Sequence, residues 1–111
     1  MKRSKRTPAR KRTVISVYDA TGWFAEDKDI GRDLRTYKLI PALKAGDRVT
    51  IDFSGVHLAT QSFIHAMLTE IIREHGASVL DSISFKSCNA VVKSLVLTVV
   101  EYSQETDELR R

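Results

Sequence analysis

Apolar positions along the chain follow two periods. TVISVY, residues 13–18, and RVTIDF, residues 48–53, are rich in β-branched and aromatic residues, and both predict strands. RVTIDF alternates, with Val49, Ile51 and Phe53 on one face and Thr50 and Asp52 on the other. That pattern predicts a strand packed by one face only, or one near a sheet edge. A third strand is predicted in VLDSISF, residues 79–85, centred on Ile83 and Phe85. Helical spacing governs three other segments. DIGRDLRTYKLI, residues 29–40, puts Leu34, Tyr37 and Ile40 on one side, with Asp29 as its cap. Pro41 is expected to end or kink this helix, or to open one last turn, PALKA, closed by Gly46. The strongest signal runs from Thr60 to His75. Phe63, Ile64, Met67, Leu68, Ile71 and Ile72 recur every three to four residues, while His65, Thr69, Glu70, Arg73 and Glu74 face away. Gly76 follows as a stop. Asn89 is expected to cap a last helix running to about Glu101, in which Val91/Val92, Leu95/Val96 and Val99/Val100 repeat every four residues.

The intervening stretches carry no period. DATGWFAEDK, residues 19–28, offers the apolar pair Trp23 and Phe24, which close one end of the core or form a partner patch. SGVHLA, residues 54–59, reads as a loop, and SQETDELRR as a polar, fraying end. Strands alternating with helices predict an α/β fold: a mixed, mostly parallel sheet of about four strands, with helices mainly on one face.

Composition narrows this picture. A length of 111 residues sets a prior of one domain, and 42% apolar with 29% charged residues is ordinary for a soluble globular domain. No apolar run is long enough to span a bilayer, and the charged N-terminus leads into no apolar region of a secretory signal. The single cysteine, Cys88, forms no internal disulfide, so a reducing cytoplasm is the expected home. The net charge of +4 is unevenly divided. Residues 1–12 hold seven of the 18 basic residues and no acid; the rest carries eleven basic and fourteen acidic residues, a net of −3. The expected organisation is a disordered basic arm (1–12), a domain (13–102) and a polar tail (103–111). The arm is also a candidate for nucleic-acid contact, although it has no aromatic residue for base stacking.

Few residues suggest chemistry. The five glycines are scattered, each at an expected turn or helix end, and form no phosphate loop. No serine sits in a G-x-S-x-G elbow. His57, His65 and His75 lack the spacing of a metal set, so neither metal nor cofactor is expected. Cys88 is a small apolar residue, or a thiol near a helix N-terminus. Asp52 ends a strand, where it orients the following turn or belongs to a site. Arg32 and Arg35 are solvated helix residues, or candidates for contact with an anionic partner. Ser62 stands where strand and loop run into the long helix. It is a helix cap, a cap that also meets a partner or carries a phosphate, or, without an identifiable base, a nucleophile.

The segment DRVTIDFSGVHLATQSFIHAML, residues 47–68, resembles the central strand-loop-helix of STAS domains, the fold of anti-sigma factor antagonists. The strand end is Asp52, the small-residue turn Ser54-Gly55-Val56, and Leu58 and Ala59 lie in the apolar stretch. Thr60-Gln61-Ser62-Phe63 occupies the place of the Asp-Ser-Ser-Gly motif, with Thr60 for the Asp, Gln61 for the first Ser and Phe63 for the Gly. Residues 13–102 are more similar still to a bacterial family of STAS-like domains of unknown function. The shared features are Gly31-Arg32, Asp52 to Val56, Ser62-Phe63, and Ile83, Phe85 and Asn89. The resemblance implies a non-enzymatic interaction domain in bacterial regulation. Its partner would be a histidine-kinase-like sensor ATPase or an anti-sigma-like regulator. Ser62 would hold the phosphorylated position, and Asp52, Gly55, His57, Thr60, Gln61, Phe63 and His65 would lie on the partner surface. A nucleic-acid accessory role through the basic arm is the alternative, and a small enzyme or ligand carrier near Asp52, Ser62 and Cys88 is the third.

Overall fold

The computed structural model describes residues 11–109, with side chains through Gln104. In chain order the elements are β1 (Arg12–Ser16), α1 (Val17–Thr21), β2 (Phe24–Ala25), α2 (Lys28–Leu34) and α3 (Ile40–Lys44). They continue with β3 (Arg48–Asp52), β4 (Leu58–Ala59), α4 (Gln61–His75), β5 (Ile83–Lys86) and α5 (Ala90–Leu109). Residues 1–10 of the basic arm, and with them its proposed nucleic-acid contact, lie outside the described residues.

The β-branched runs assemble as expected for an α/β chain. β1, β3 and β5 form a parallel sheet in the order β1-β3-β5, and β2 pairs with β4 in a second, two-stranded parallel sheet. Among the described residues the arrangement is thus three plus two strands, with every pairing parallel, rather than one mixed sheet of about four. The register sets Thr13, Val49 and Ile83 in one row and Ile15, Ile51 and Phe85 in another. These rows face the core that α4 and α5 complete with Phe63, Met67, Ile71, Val92, Val96 and Val99. The intervening row, Val14–Thr50–Ser84, faces outward. β3 is therefore the central strand, not an edge. Thr50 is only 8% exposed because neighbours flank it on both sides.

Several boundaries differ from the sequence pattern. The end of TVISVY bends into α1, whose first turn is capped by Ser16 accepting from the Asp19 N–H. VLDS is a 3-10 turn spanning Ala77–Ser82, so β5 begins only at Ile83. α5 continues to Leu109, well past Glu101, so the expected fraying tail starts as helix. Pro41 does not stop its helix. A π-helical stretch, Arg35–Leu39, joins α2 to α3, and the Ile40 N–H donates to the carbonyl of Arg35, five residues back. Pro41 then falls in the first turn of α3, where its missing N–H is tolerated. The wider turn also shifts the helical phase, which leaves Tyr37 exposed instead of buried beside Leu34. Gly46, at φ 85°, closes the run as expected.

Three contacts lock α4 in place. Gly31 is not at a helix end; it is buried inside α2 where that helix crosses α4. A Cβ at Gly31 would lie 2.8 Å from the Phe63 carbonyl oxygen and 3.4 Å from the Ala66 Cβ. One turn on, Arg35 donates from Nη1 to the Ala66 carbonyl at 2.8 Å, so this guanidinium is engaged within the fold rather than presented to an anion. On the other flank, Thr69 was expected to face solvent. It is buried instead and hydrogen-bonds Ser103 of α5 at 3.0 Å, while Ser103 also donates to the Val99 carbonyl. The pair satisfies two hydroxyls that burial would otherwise penalise.

The Gly31 crossing yields a direct test. Gly31→Ala forces the helices apart, at a cost of about 1–3 kcal/mol for overpacking. Better helix propensity offsets only about 1 kcal/mol of it. The expected outcome in urea denaturation is a lower midpoint for Gly31→Ala and a still lower one for Gly31→Val. An unchanged midpoint for both would show that the helices do not approach as closely as described.

Candidate functional site

In a parallel sheet, strand polarity gathers the loops that follow the strands at one end. Here that end carries the turn after β3, β2 and β4 with their flanking residues, and the first turns of α2 and α4. Asp52 builds the turn. Its Oδ1 accepts from the Ser54 N–H at 2.9 Å and from the Ser54 hydroxyl at 2.8 Å. These bonds to the charged form, backbone first, hold the Asp52 carboxyl below its ordinary value of 3.8, with Lys86 adding to them and desolvation opposing. Asp52 thus orients the Ser54-Gly55 turn. Gly55, at φ 86°, is needed twice over: any Cβ there would meet the ring of Tyr18 at 2.8 Å.

The loop then runs back along β2. The Trp23 carbonyl accepts from the N–H groups of His57 and Leu58, at 2.8 and 3.2 Å. Its indole stacks on Phe24 with ring centroids 5.4 Å apart. The Thr60 N–H continues the pairing to the Ala25 carbonyl. The result is a patch of large apolar side chains that the core does not use. Tyr18, Trp23 and Leu58 are 47%, 56% and 43% exposed. The pair Trp23 and Phe24 divides between the two expected roles, closing the core and forming a patch. Phe24 is half-buried, and Trp23 faces outward.

Asn89 anchors this loop from the other side, a role that spacing alone did not reveal. Its Oδ1 accepts from the Val92 N–H at 2.8 Å, capping α5 as expected. Its Nδ2 donates to the His57 carbonyl at 2.9 Å, which ties α5 to the β3–α4 loop.

The cap of α4 is Thr60, not Ser62. The Thr60 hydroxyl accepts from the Phe63 N–H at 3.1 Å. Ser62 sits two positions further on, exposed in the first turn. It lines a shallow depression of about 370 Å³ with Lys28, Gln61, His65 and Ala66. Gln61 and His57 are exposed, and His65 is partly covered, with its ring 6.1 Å from that of Tyr102. Phe63, expected on the partner surface, is fully buried. It departs from the motif's Gly because its side chain fills the core, while its carbonyl meets Gly31. Arg32 is exposed and pairs with Asp29 at 3.3 Å.

Cys88 does not join Ser62. It lines a separate groove between β5 and α5, and burial pushes its thiol up, against the pull of Lys93 and with Asp52 adding to the rise. A thiol shifted this way is a weaker nucleophile at neutral pH. Among the described residues, no three His, Cys, Asp or Glu side chains are placed to hold a metal. No described helix is long and apolar enough to cross a membrane. What the surface can do chemically is present aromatic and aliphatic groups beside polar helix-turn side chains.

Residues 31–93 match a family model described as a STAS-like domain of unknown function. The matched span begins at the glycine of the helix crossing and includes the β3 turn, the α4 cap and Asn89. No curated protein and no solved structure matches the chain.

Two substitutions separate the hydroxyls at the start of α4. Thr60→Ala removes the cap and is expected to lower stability by about 1 kcal/mol, whereas Ser62→Ala leaves it within about 0.5 kcal/mol. Urea denaturation checks both, and the reverse order would return the cap to Ser62. Asp52 gives a pH signature. Because folding lowers its pKa, its contribution is present above 3.8 and is lost as pH falls through the lower, folded value. Wild type should therefore exceed Asp52→Asn in thermal stability at neutral pH, with the gap closing only below about pH 3.8.

Proposed function

Because the chain belongs to the family of STAS-like domains of unknown function, we propose that it is a non-enzymatic protein-interaction domain in bacterial regulation. It docks its partner on the loops at the carboxyl ends of the strands. The observation that carries this reading is the exposed set Tyr18, Trp23 and Leu58, held on mutually hydrogen-bonded segments. Tryptophan and tyrosine are the side chains that most often anchor protein interfaces, because they bury a large area at small entropic cost. The patch is supported by rigid devices: the Asp52 turn, the Gly55–Tyr18 contact and the Asn89 tie. A preformed surface spares the ordering cost of binding.

The first turn of α4 borders this surface and gives it a point of control. Ser62 is exposed, is not needed as the cap, and faces a depression with Lys28 and His65. A phosphate there would add negative charge at the rim of the docking patch, near a helix N-terminus that tolerates it. The fold would stand while the partner's complementary charge no longer fits. The partner class that the resemblance to anti-sigma factor antagonists suggests is a histidine-kinase-like ATPase or an anti-sigma-like regulator. Thr60 and Gln61 in place of the motif's acidic residue and first serine imply a kinase of altered preference.

Affinity capture from cells of the native host, read by mass spectrometry, tests the docking surface. Trp23→Ala and Leu58→Asp should each weaken capture of a specific partner by more than about 30-fold, the scale of an interface hot spot, with unchanged circular dichroism. Ser62→Asp should weaken it too, and Ser62→Ala should not. Undiminished capture by Trp23→Ala and Leu58→Asp would rule the surface out.

A further inference from the structure

The two outer strands of the three-stranded sheet each pair on one side only, and the β5 side carries a built groove. β5 has no neighbour other than β3 among the described residues. Beyond its free edge lies a groove of about 550 Å³ lined by Ile83, Phe85, Cys88, Lys93, Val96 and Leu97. Leu97 is 53% exposed on α5, which forms the groove's other wall. The Lys86 carbonyl accepts from the Phe53 N–H, so Lys86 and, by strand alternation, Ser84 turn their peptide groups toward β3. The peptide groups of Phe85 therefore turn outward, as does the Ile83 carbonyl; the Ile83 N–H is already bonded to Leu80.

The geometry points to a second copy of this chain as the occupant: two β5 strands pair antiparallel about a two-fold axis through Ser84, continuing the sheet across both copies. In that register Ile83 stands opposite Phe85 of the second copy, so the Phe85 N–H of each copy reaches the Ile83 carbonyl of the other. This pairing keeps faces matched, since residues directly opposite in an antiparallel pair share a face. Ile83 and Phe85 are both on the helix side, and Ser84 meets Ser84 on the outer side.

The outer stripe of α5 obeys the same two-fold. Lys93, Leu97 and Glu101 are four residues apart, all exposed, and so lie along one face of the helix. Leu97 and Ser84 line the same groove, and the proposed two-fold is set at their level. A two-fold there sets Leu97 against Leu97 and brings Lys93 of each copy to Glu101 of the other. An isologous interface requires this self-complementarity, in which residue i meets j and j meets i. The stripe supplies it with one cation, one apolar residue and one anion in palindromic order. An unrelated partner would have no need of that order.

Light scattering after gel filtration, over a range of concentrations of the full chain, reads the mass. Wild type should be a dimer that dissociates on dilution. Leu97→Asp should shift the midpoint by at least about 30-fold, as loss of a central apolar anchor does. Lys93→Glu should weaken association by about 3- to 10-fold, and the Lys93→Glu/Glu101→Lys double variant should restore it. An independent arm uses Ser84→Cys in a Cys88→Ala background. Antiparallel Cα atoms at a non-hydrogen-bonded pair are about 4.5 Å apart, within the range a disulfide spans. Mild oxidation should then give a covalent dimer. A monomer at every concentration, or a dimer that Leu97→Asp leaves intact and Ser84→Cys does not trap, would overturn the proposal.

Discussion

The approach of α2 to α4 at Gly31 is the constraint on which the rest of the structure depends. With no side chain at Gly31, the α2 backbone comes within van der Waals reach of the Phe63 carbonyl. That closeness buries the Phe63 ring and lets Arg35 reach the Ala66 carbonyl. It also brings the starts of both helices together: the Thr60 hydroxyl, which caps α4, lies 3.4 Å from the Glu26 carbonyl just ahead of α2. Lys28 and Ser62 then share one depression. A wider crossing would separate these groups and dissolve the surface they form.

The loops proposed for docking are held by a second set of contacts that act on backbone rather than on side-chain packing. Trp23 offers its carbonyl, not its indole, to the β3–α4 loop, which leaves the ring outside. Asn89 grips the same loop at the His57 carbonyl while capping α5. Side chains that a core would normally absorb are thereby presented to solvent on a rigid frame. Exposed aromatic groups on a fixed scaffold suit recognition of another protein better than they suit catalysis, which needs converging polar groups in a recess.

Much of this was legible in the sequence where a single element decides the outcome. The 3.6-residue period of α4 marked Phe63, Ile64, Met67, Leu68, Ile71 and Ile72, and all six are buried. The strand-loop-helix order around Asp52 identified the family and the turn. What stayed hidden required contacts between elements. Thr69 looks solvent-facing until Ser103, 34 residues away, supplies its partner. Gly31 looks like a helix end until α4 is laid across it. Thr60 and Ser62 are both plausible caps by residue type, and only the backbone direction entering α4 selects Thr60. Pro41 looked like a stop, but the π turn ahead of it delivers the ring to a tolerated position. Phe63 carried two readings, core and surface, and the helix crossing decides for core.

Recognition at the carboxyl-end loops is the central proposal. Backbone chemical-shift mapping of the labelled chain against its purified, captured partner tests this most directly. Perturbations should concentrate at Tyr18, Trp23, Ser54 to Leu58 and Gln61 to Ser62, and leave the Val14–Thr50–Ser84 row unchanged. Perturbations confined to that sheet row, or to α3 and the residues around Tyr37, would contradict it.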